Sequence, residues 1–342
     1  MKHGKWNAIT DVPGVKVGHV TLSEQLQNNE AICTGVTAIL PHSGNPFEQK
    51  VPAASFVLNG FGKTAGLVQV DELGVLESPL MLTNTFSVGA VLDGTLSFML
   101  EENPAIGNST SSLNVVVGEC NDSHLNSMRL MKVKPHHAVE AIQNAKTGPL
   151  KQGAIGAGKG MICYGMKGGI GSSSRIISTE QAIYTVGVLL LANFGKVDEC
   201  KIDEWLQANG SKPMPTPKSQ ADNEKPDGSV MIIVATDAPV NERQLKRFAK
   251  RAAIGLGRTG TSIHNGSGDI IIAFSNGYTI PHSSANMTNS YKLLRDDHPV
   301  MNDLFQAVVE STEEAVYQSL IHAETTTGRR GRVVEKWPIE EV

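Results

Sequence analysis

Aromatic residues, cysteine and charge are all scarce in this chain. Aromatics make up 5% of the 342 residues and charged residues 19%, below the ~25% charge usual for soluble proteins. There is no basic surplus: 30 Lys and Arg stand against 34 Asp and Glu, a net charge of −4. That argues against a nucleic-acid binder, which needs cations to meet phosphates. No apolar run is long enough for a membrane-spanning helix. The opening stretch, MKHGKWNAITDVPGV, lacks the apolar centre of a secretory signal, so a cytoplasmic protein is expected. Cys33, Cys120, Cys163 and Cys200 are far apart and form no CxxC. Reduced, buried thiols are expected rather than a disulfide framework or zinc knuckle. The ten histidines include no HExxH, so no catalytic metal is expected.

Glycine is abundant, with 34 residues, or about one in ten against a usual ~7%. A chain rich in glycine and poor in aromatics relies on tight turns and close backbone approach. Short apolar, β-branched runs at 53–59, 113–118, 160–164, 184–192, 230–235 and 269–275 read as buried strands. Helical periodicity marks 62–73, 88–100, 136–145, 242–256 and 304–323. Strands and helices interleave along the whole length, which favours a layered α/β fold in a single domain, 1–342. Residues 211–229, SKPMPTPKSQADNEKPDGS, hold four prolines and almost nothing apolar. They are expected to form a flexible surface loop.

Two glycine-rich stretches imitate phosphate loops. GAIGAGKG at 153–160 fits G-x-x-x-x-G-K but has Gly160 where Ser or Thr would hold magnesium. A strand should precede such a loop; here an apolar run follows it. Gly62, Lys63 and Thr64 give GKT, with Val57 where the first glycine belongs. Both read better as turns beside strands, and no cofactor is expected.

The chemistry concentrates at 264–275, HNGSGDIIIAFS. Asn265 and Gly266 are a strong turn pair, and a strand run follows Gly268. Ser267 therefore stands at the mouth of a strand, flanked by Gly266 and Gly268, with its hydroxyl expected to be accessible. A strained Gly266–Ser267 peptide is the geometry in which a Ser hydroxyl attacks its own preceding carbonyl. Hydrolysis after such a shift would leave Ser267 with a free α-amine, whose ordinary pKa of about 7.7–8.0 suits a base beside the nucleophile. The stretch equally fits a plain turn before a strand.

Five further stretches point the same way: ITDVPGVKVGHV from Ile9, PAASFVLNGFGKTAGLVQVDEL from Pro52, LTNTFSVGAVLD from Leu82, GKGMICYGMKGGIGSSSR from Gly158, and VATDAP from Val234. Together with HNGSGDIIIAFS they resemble, in order, the DmpA family of self-processing aminopeptidases (L-aminopeptidase/D-esterase and β-aminopeptidases). The resemblance runs from about residue 9 to about residue 330. It implies an α/β/β/α sandwich similar to N-terminal-nucleophile hydrolases. It also implies autocleavage between Gly266 and Ser267, giving chains 1–266 and 267–342 that stay together. The implied substrates are small peptides, aminoacyl amides or esters bearing a free amine near the scissile carbonyl. No cofactor, nucleic acid or membrane is implied; a homo-oligomer, a tetramer of cleaved αβ units, is.

Other roles carry over residue by residue. Tyr164 matches an oxyanion-site tyrosine. Gly165, Gly168, Gly169 and Gly171 after it read as a thin wall. Glu119 matches an acid linked to processing or amine recognition, and Asp237 a second oxyanion or amine contact. Ser311 and Glu313 match a Ser-x-Glu pair that assists the nucleophile. Two positions apart on a regular helix is about 200°, so both cannot face one point. A distorted helix, one residue acting alone, or the pair Thr312 and Glu314 remain open. Two alternatives stand beside this reading: a self-cleaving N-acyltransferase resembling ornithine acetyltransferases, and an uncleaved, non-enzymatic binding protein of the same fold.

Overall fold

The computed structural model describes residues 1–210 and 228–338. The expected loop at 211–229 thus lies almost wholly outside the described residues, and Ser229 already belongs to a strand.

Two sheets form the centre. The smaller holds β1 (Lys16–Gln25), β2 (Ala31–Leu40), β4 (Leu80–Asn84) and β5 (Val116–Cys120) in that order. The larger runs from β3 (Gln49–Gly60) through β9 (Gly268–Ser275), β8 (Ser229–Thr236) and β7 (Ile183–Asn193) to β6 (Ile170–Ser178), with the short Ile280–Pro281 on its β3 edge. Neighbours are antiparallel except β4 with β5 and β8 with β9. Each parallel pair is joined by a helical crossover, as parallel strands require. These are α2 (Val88–Glu102), which follows the short α1 (Leu67–Leu73), and α5 (Glu242–Arg258), which follows α3 (Pro135–Gln143) and α4 (Ile202–Ala208).

The strands read as unbroken apolar runs because both their faces are covered. In β8, Met231, Ile233 and Ala235 join Ile270, Ile272 and Phe274 of β9 in the core between the sheets. There they meet Ile39, Leu80, Leu82 and Val116 of the small sheet. The alternate residues, Val230, Ile232, Val234, Ile271 and Ala273, face a second core against α5 and the long α6 (Val300–Ile321), with Leu245, Phe248, Leu304 and Val308. On the outer face of the small sheet, Val36, Ala38, Met81 and Val117 pack on Val91 of α2 and on Ala138, Ala141 and Ile142 of α3. The order is therefore helix, sheet, sheet, helix, the expected α/β/β/α sandwich.

Local chemistry fixes the helix starts. Asn241 Oδ1 accepts from Gln244 N (2.9 Å) and Gln244 Oε1 accepts from Asn241 N (3.0 Å). This reciprocal cap on α5 is worth about 1 kcal/mol. Pro135 opens α3, where a missing N–H costs nothing.

Close approach consumes the glycines. A β-carbon on Gly171 would stand 1.9 Å from the Ala315 carbonyl of α6, and one on Gly255 2.4 Å from that of Val309. Gly168 packs on Cys163, and Gly169 on the Gly153 and Gly158 carbonyls. The glycines after Tyr164 thus thin the packing between elements, and none of them lines the Ser267 cavity. The 153–160 stretch is a buried 3-10 turn over Gly156–Gly160, with the Gly158 carbonyl accepting from Lys167 Nζ at 3.1 Å. Residues 160–164 form only the two-residue strand Ile162–Cys163, and 62–66 precede α1 rather than belonging to it. All four cysteines are free; three are buried and Cys200 is half-buried.

Candidate active site

Ser267 precedes β9, at the end of the sheet where the parallel strands β8 and β9 begin (Ser229 opposite Gly268). Its expected accessibility is not observed: the residue is 3% exposed. The preceding loop, 261–266, lies over it, and Ser267 N donates to the His264 carbonyl at 3.0 Å, closing a turn around the peptide between Gly266 and Ser267. A cavity lies beside it, lined by Phe194, Gly195, Gly228, Thr261, His264 and Asp269 among others. About 20 Å³ of it is open to the centre of a water-sized molecule, room for one water.

Ser267 Oγ donates to Asp269 Oδ1 at 2.7 Å. The sequence reading missed Asp269, although the signal was there: residues i and i+2 of an extended strand share a face. Burial pushes the Asp269 carboxyl up to about 6, opposed by the hydrogen bond from Ser267 and by His264. Asn59 was also missed. Its Nδ2 donates to the carbonyls of Ser267 (2.6 Å), Asn265 (3.0 Å) and His264 (3.1 Å). A bulge aims it. Asn59 pairs with Asp269, but Ile270 pairs with Val57, leaving Leu58 unmatched. Bulges commonly re-aim a side chain beside an active site. No sequence signal marked this one.

The strain expected at Gly266 falls elsewhere, since the positive φ in this loop belongs to Ile263 (60°). A β-branched residue rarely adopts that conformation, which costs about 1–3 kcal/mol. His264 Nε2 lies 2.9 Å from Glu199 Oε1.

The remaining expected site residues divide. Glu119, at the end of β5, is buried and spans two loops: its Oε1 accepts from Lys63 N (2.8 Å) and its Oε2 from the Thr85 hydroxyl. The Phe61 and Gly62 backbone fits so closely between Glu119 and Ser267's neighbour that a β-carbon on Gly268 would stand 3.0 Å from Gly62 N. The GKT fragment is thus part of the site's frame.

Tyr164 is fully buried one layer behind the cavity, edge-on to Phe194 and against Gly195. Its hydroxyl accepts from Thr261 N (3.1 Å) and lies 2.7 Å from Thr259 Oγ1. Thr259 in turn gives its own proton to the Leu256 carbonyl. The Tyr164 proton is therefore committed to Thr259, and burial pushes its pKa upward. Among the described residues, no hydrogen bond joins this hydroxyl to Ser267.

Asp237 is not brought to the site. It follows Thr236, which pairs with Ser275 at the far end of β9, about 23 Å along the strand at ~3.3 Å per residue. There its Oδ1 accepts from Thr185 N at 2.6 Å. Ser311 and Glu313 ride on α6, and neither lines the Ser267 cavity. Ser311 is buried; Glu313 reaches Arg258 at 3.4 Å and lines a separate surface cleft with Trp205 and Tyr317. The alternative pair does not gather there either: Thr312 donates to the Val308 carbonyl, and Glu314 is held by Arg175 at 2.7 Å.

Two facing sheets flanked by helices, with a buried serine paired with a carboxylate where a central strand begins, place the chain with hydrolases of the N-terminal-nucleophile type of fold. A sequence profile of peptidase family S58 matches residues 7–334, and the chain belongs to that family. It is 38% identical to the β-peptidyl aminopeptidase BapA of Sphingosinicella microcystinivorans, over all of this chain and 88% of that one. A solved protein of Pyrococcus horikoshii OT3 superposes with a TM-score of 0.88 and 46% identity, covering 98% of this chain and 92% of the other. The L-aminopeptidase D-Ala-esterase/amidase of Ochrobactrum anthropi, described as a variant of the Ntn hydrolase fold, gives 0.86 and 33%. Its coverage is likewise 98% and 92%. The chain is therefore a serine peptidase of aminopeptidase or amidase function. The acyltransferase and non-enzymatic alternatives fall away.

Proposed function

We propose that the chain cuts itself between Gly266 and Ser267, and that Ser267 is then the nucleophile for aminoacyl amides, esters and small peptides. The observation that carries this reading is the position of Ser267. A buried hydroxyl paired with a carboxylate stands directly after a constrained turn, at the first residue before a central strand. Cutting there frees the end of loop 261–266 from the cavity mouth and gives Ser267 an α-amine. That amine, with an ordinary pKa of about 7.7–8.0, takes the hydroxyl proton during attack on the substrate carbonyl. Tyr164 supplies an oxyanion donor once loop 259–261 shifts and releases its proton. Glu119 frames the amine end of the substrate. The relatives' names favour β-aminoacyl groups first, with L- and D-aminoacyl groups as the comparison substrates. We assign the enzyme to the cytoplasm, where its four free thiols stay reduced, and expect it to assemble as a tetramer of cleaved units.

Denaturing mass measurement tests the processing. Cleavage before Ser267 gives fragments of about 28 and 8 kDa from the 36.5 kDa chain. Ser267→Ala is expected to stay at full length and to hydrolyse none of these substrates. A Ser267→Ala protein that still splits would overturn the assignment of the nucleophile.

A further inference from the structure

We propose that Asp269 is the base that takes the Ser267 hydroxyl proton in the self-cleavage step; this rests on the processing reading above. Ser267 Oγ has one side-chain partner among the described residues, Asp269 Oδ1 at 2.7 Å. The second carboxylate oxygen, Oδ2, is buried and has no hydrogen-bond partner among the described residues. Asp269 itself is 2% exposed. A buried carboxylate oxygen that no protein group meets is a poor structural device, because an unmet buried acceptor costs about 1–3 kcal/mol. It is a good proton acceptor. The other titratable group at the cavity, His264, has its Nε2 turned to Glu199.

The frame around the scissile peptide supports this role. Asn59 grips the carbonyls of Asn265 and Ser267, on either side of the Gly266 carbonyl. The turn hydrogen bond from Ser267 N to the His264 carbonyl fixes the nitrogen that will leave. In the step, Asp269 accepts the Oγ proton while Oγ bonds to the Gly266 carbonyl carbon. The bond from that carbon to Ser267 N then breaks. The protonated carboxyl returns its proton to the departing nitrogen, directly or through the single water the cavity can hold. The product is an ester between Gly266 and Ser267 Oγ. Water hydrolyses it to the Gly266 carboxylate, the free hydroxyl and the new amine, so the balance is one water added across one peptide bond.

Ser267 and His264 from its own segment act on Asp269, and its charge in turn reaches Cys120 of β5. With a carboxyl pushed up to about 6 by burial, the base is present above that pH and protonated below it.

The test follows precursor made by cell-free translation and shifted to buffers between pH 4.5 and 8. Wild-type cleavage should rise about tenfold per pH unit below about 6 and level off above it. Asp269→Asn should slow cleavage at least a hundredfold at pH 7.5, keep a cooperative thermal transition, and lose the inflection near 6. Wild-type speed in Asp269→Asn, with Ser267→Ala uncut, would overturn the role of Asp269 and leave the nucleophile standing. A wild-type chain that never splits removes the processing reading itself. Where Asp269→Asn does not fold, the wild-type profile decides, and a flat rate across this range refutes the proposal.

Discussion

Asp122 illustrates how a single buried carboxyl ties stability to pH. It lies fully buried beside Asn126, whose Nδ2 donates to its Oδ1 at 2.9 Å, with Thr34 and Asn84 also favouring its charged form. Burial pushes it up to about 7. A folded-state pKa above the unfolded value means that the protonated form favours the fold. Its contribution is complete below about pH 4 and is lost as pH rises through about 7. Asp122→Asn should therefore match wild type at pH 4 and exceed it at pH 8, by something on the order of 1–3 kcal/mol. Urea unfolding at the two pH values checks this, and an equal difference at both would refute it. Asp269 obeys the same rule with a pKa near 6, a stability cost borne at the residue that serves the chemistry. Tyr164 carries a related lesson. The motif MICYGMKGG marks it, yet only the structure shows its proton given to Thr259.

At the scale of elements, the contact between α6 and β6 depends on the absence of side chains. Gly171→Ala places a methyl against the Ala315 carbonyl and should cost about 1–3 kcal/mol by overpacking. That is a fall in melting temperature of several degrees for a chain of this size. An unchanged melting curve would show that the helix can retreat freely. The elements were unequally legible. Helices α2, α3, α5 and α6 agree with the apolar periodicity to within a few residues; α3 and α5 each bury one stripe, whereas α6 is buried around most of its circumference. Strands β7, β8 and β9 were visible as unbroken apolar runs. Strand β6 was not, because IGSSSRIIS reads as a glycine–serine loop. Its serines are buried only because tertiary partners meet them: Ser172 donates to the Val188 carbonyl, and Ser174 to Asp11, at 2.6 and 2.7 Å. Strands β1 and β2 and the short α4 were also unmarked. The bulge at Leu58 depends on the pairing of β3 with β9, which no local pattern encodes.

For the whole molecule, the proposed cut before Ser267 would have a mechanical consequence. The C-terminal product contains β9, which lies between β3 and β8, and α6, which covers the same sheet. Leaving would expose the apolar faces of both cores, at roughly 25 cal/mol per Å² of buried apolar surface. The two products should therefore elute together at native mass, remain together in 1 M salt, and separate only in denaturant. Elution of the ~8 kDa piece alone from native buffer would refute this, since hydrophobic burial does not weaken with salt as ion pairs do.

The sequence by itself determined the nucleophile candidate, the turn before it and the layered order. A serine between glycines at a strand mouth is a local pattern, interleaved apolar strands and amphipathic helices point to layers, and the family resemblance implies their α/β/β/α order. It also settled the family, through ordered motifs along nearly the whole chain. Only the tertiary structure decided which polar groups meet Ser267. Asn59 stands 208 positions away from it in the chain and reaches its carbonyl because β3 lies beside β9. Asp237 adjoins β8, the other neighbour of β9, yet ends up at the opposite end of the strands because β8 and β9 run parallel. Proximity in a sheet depends on register and direction, and both are set by pairing between distant segments.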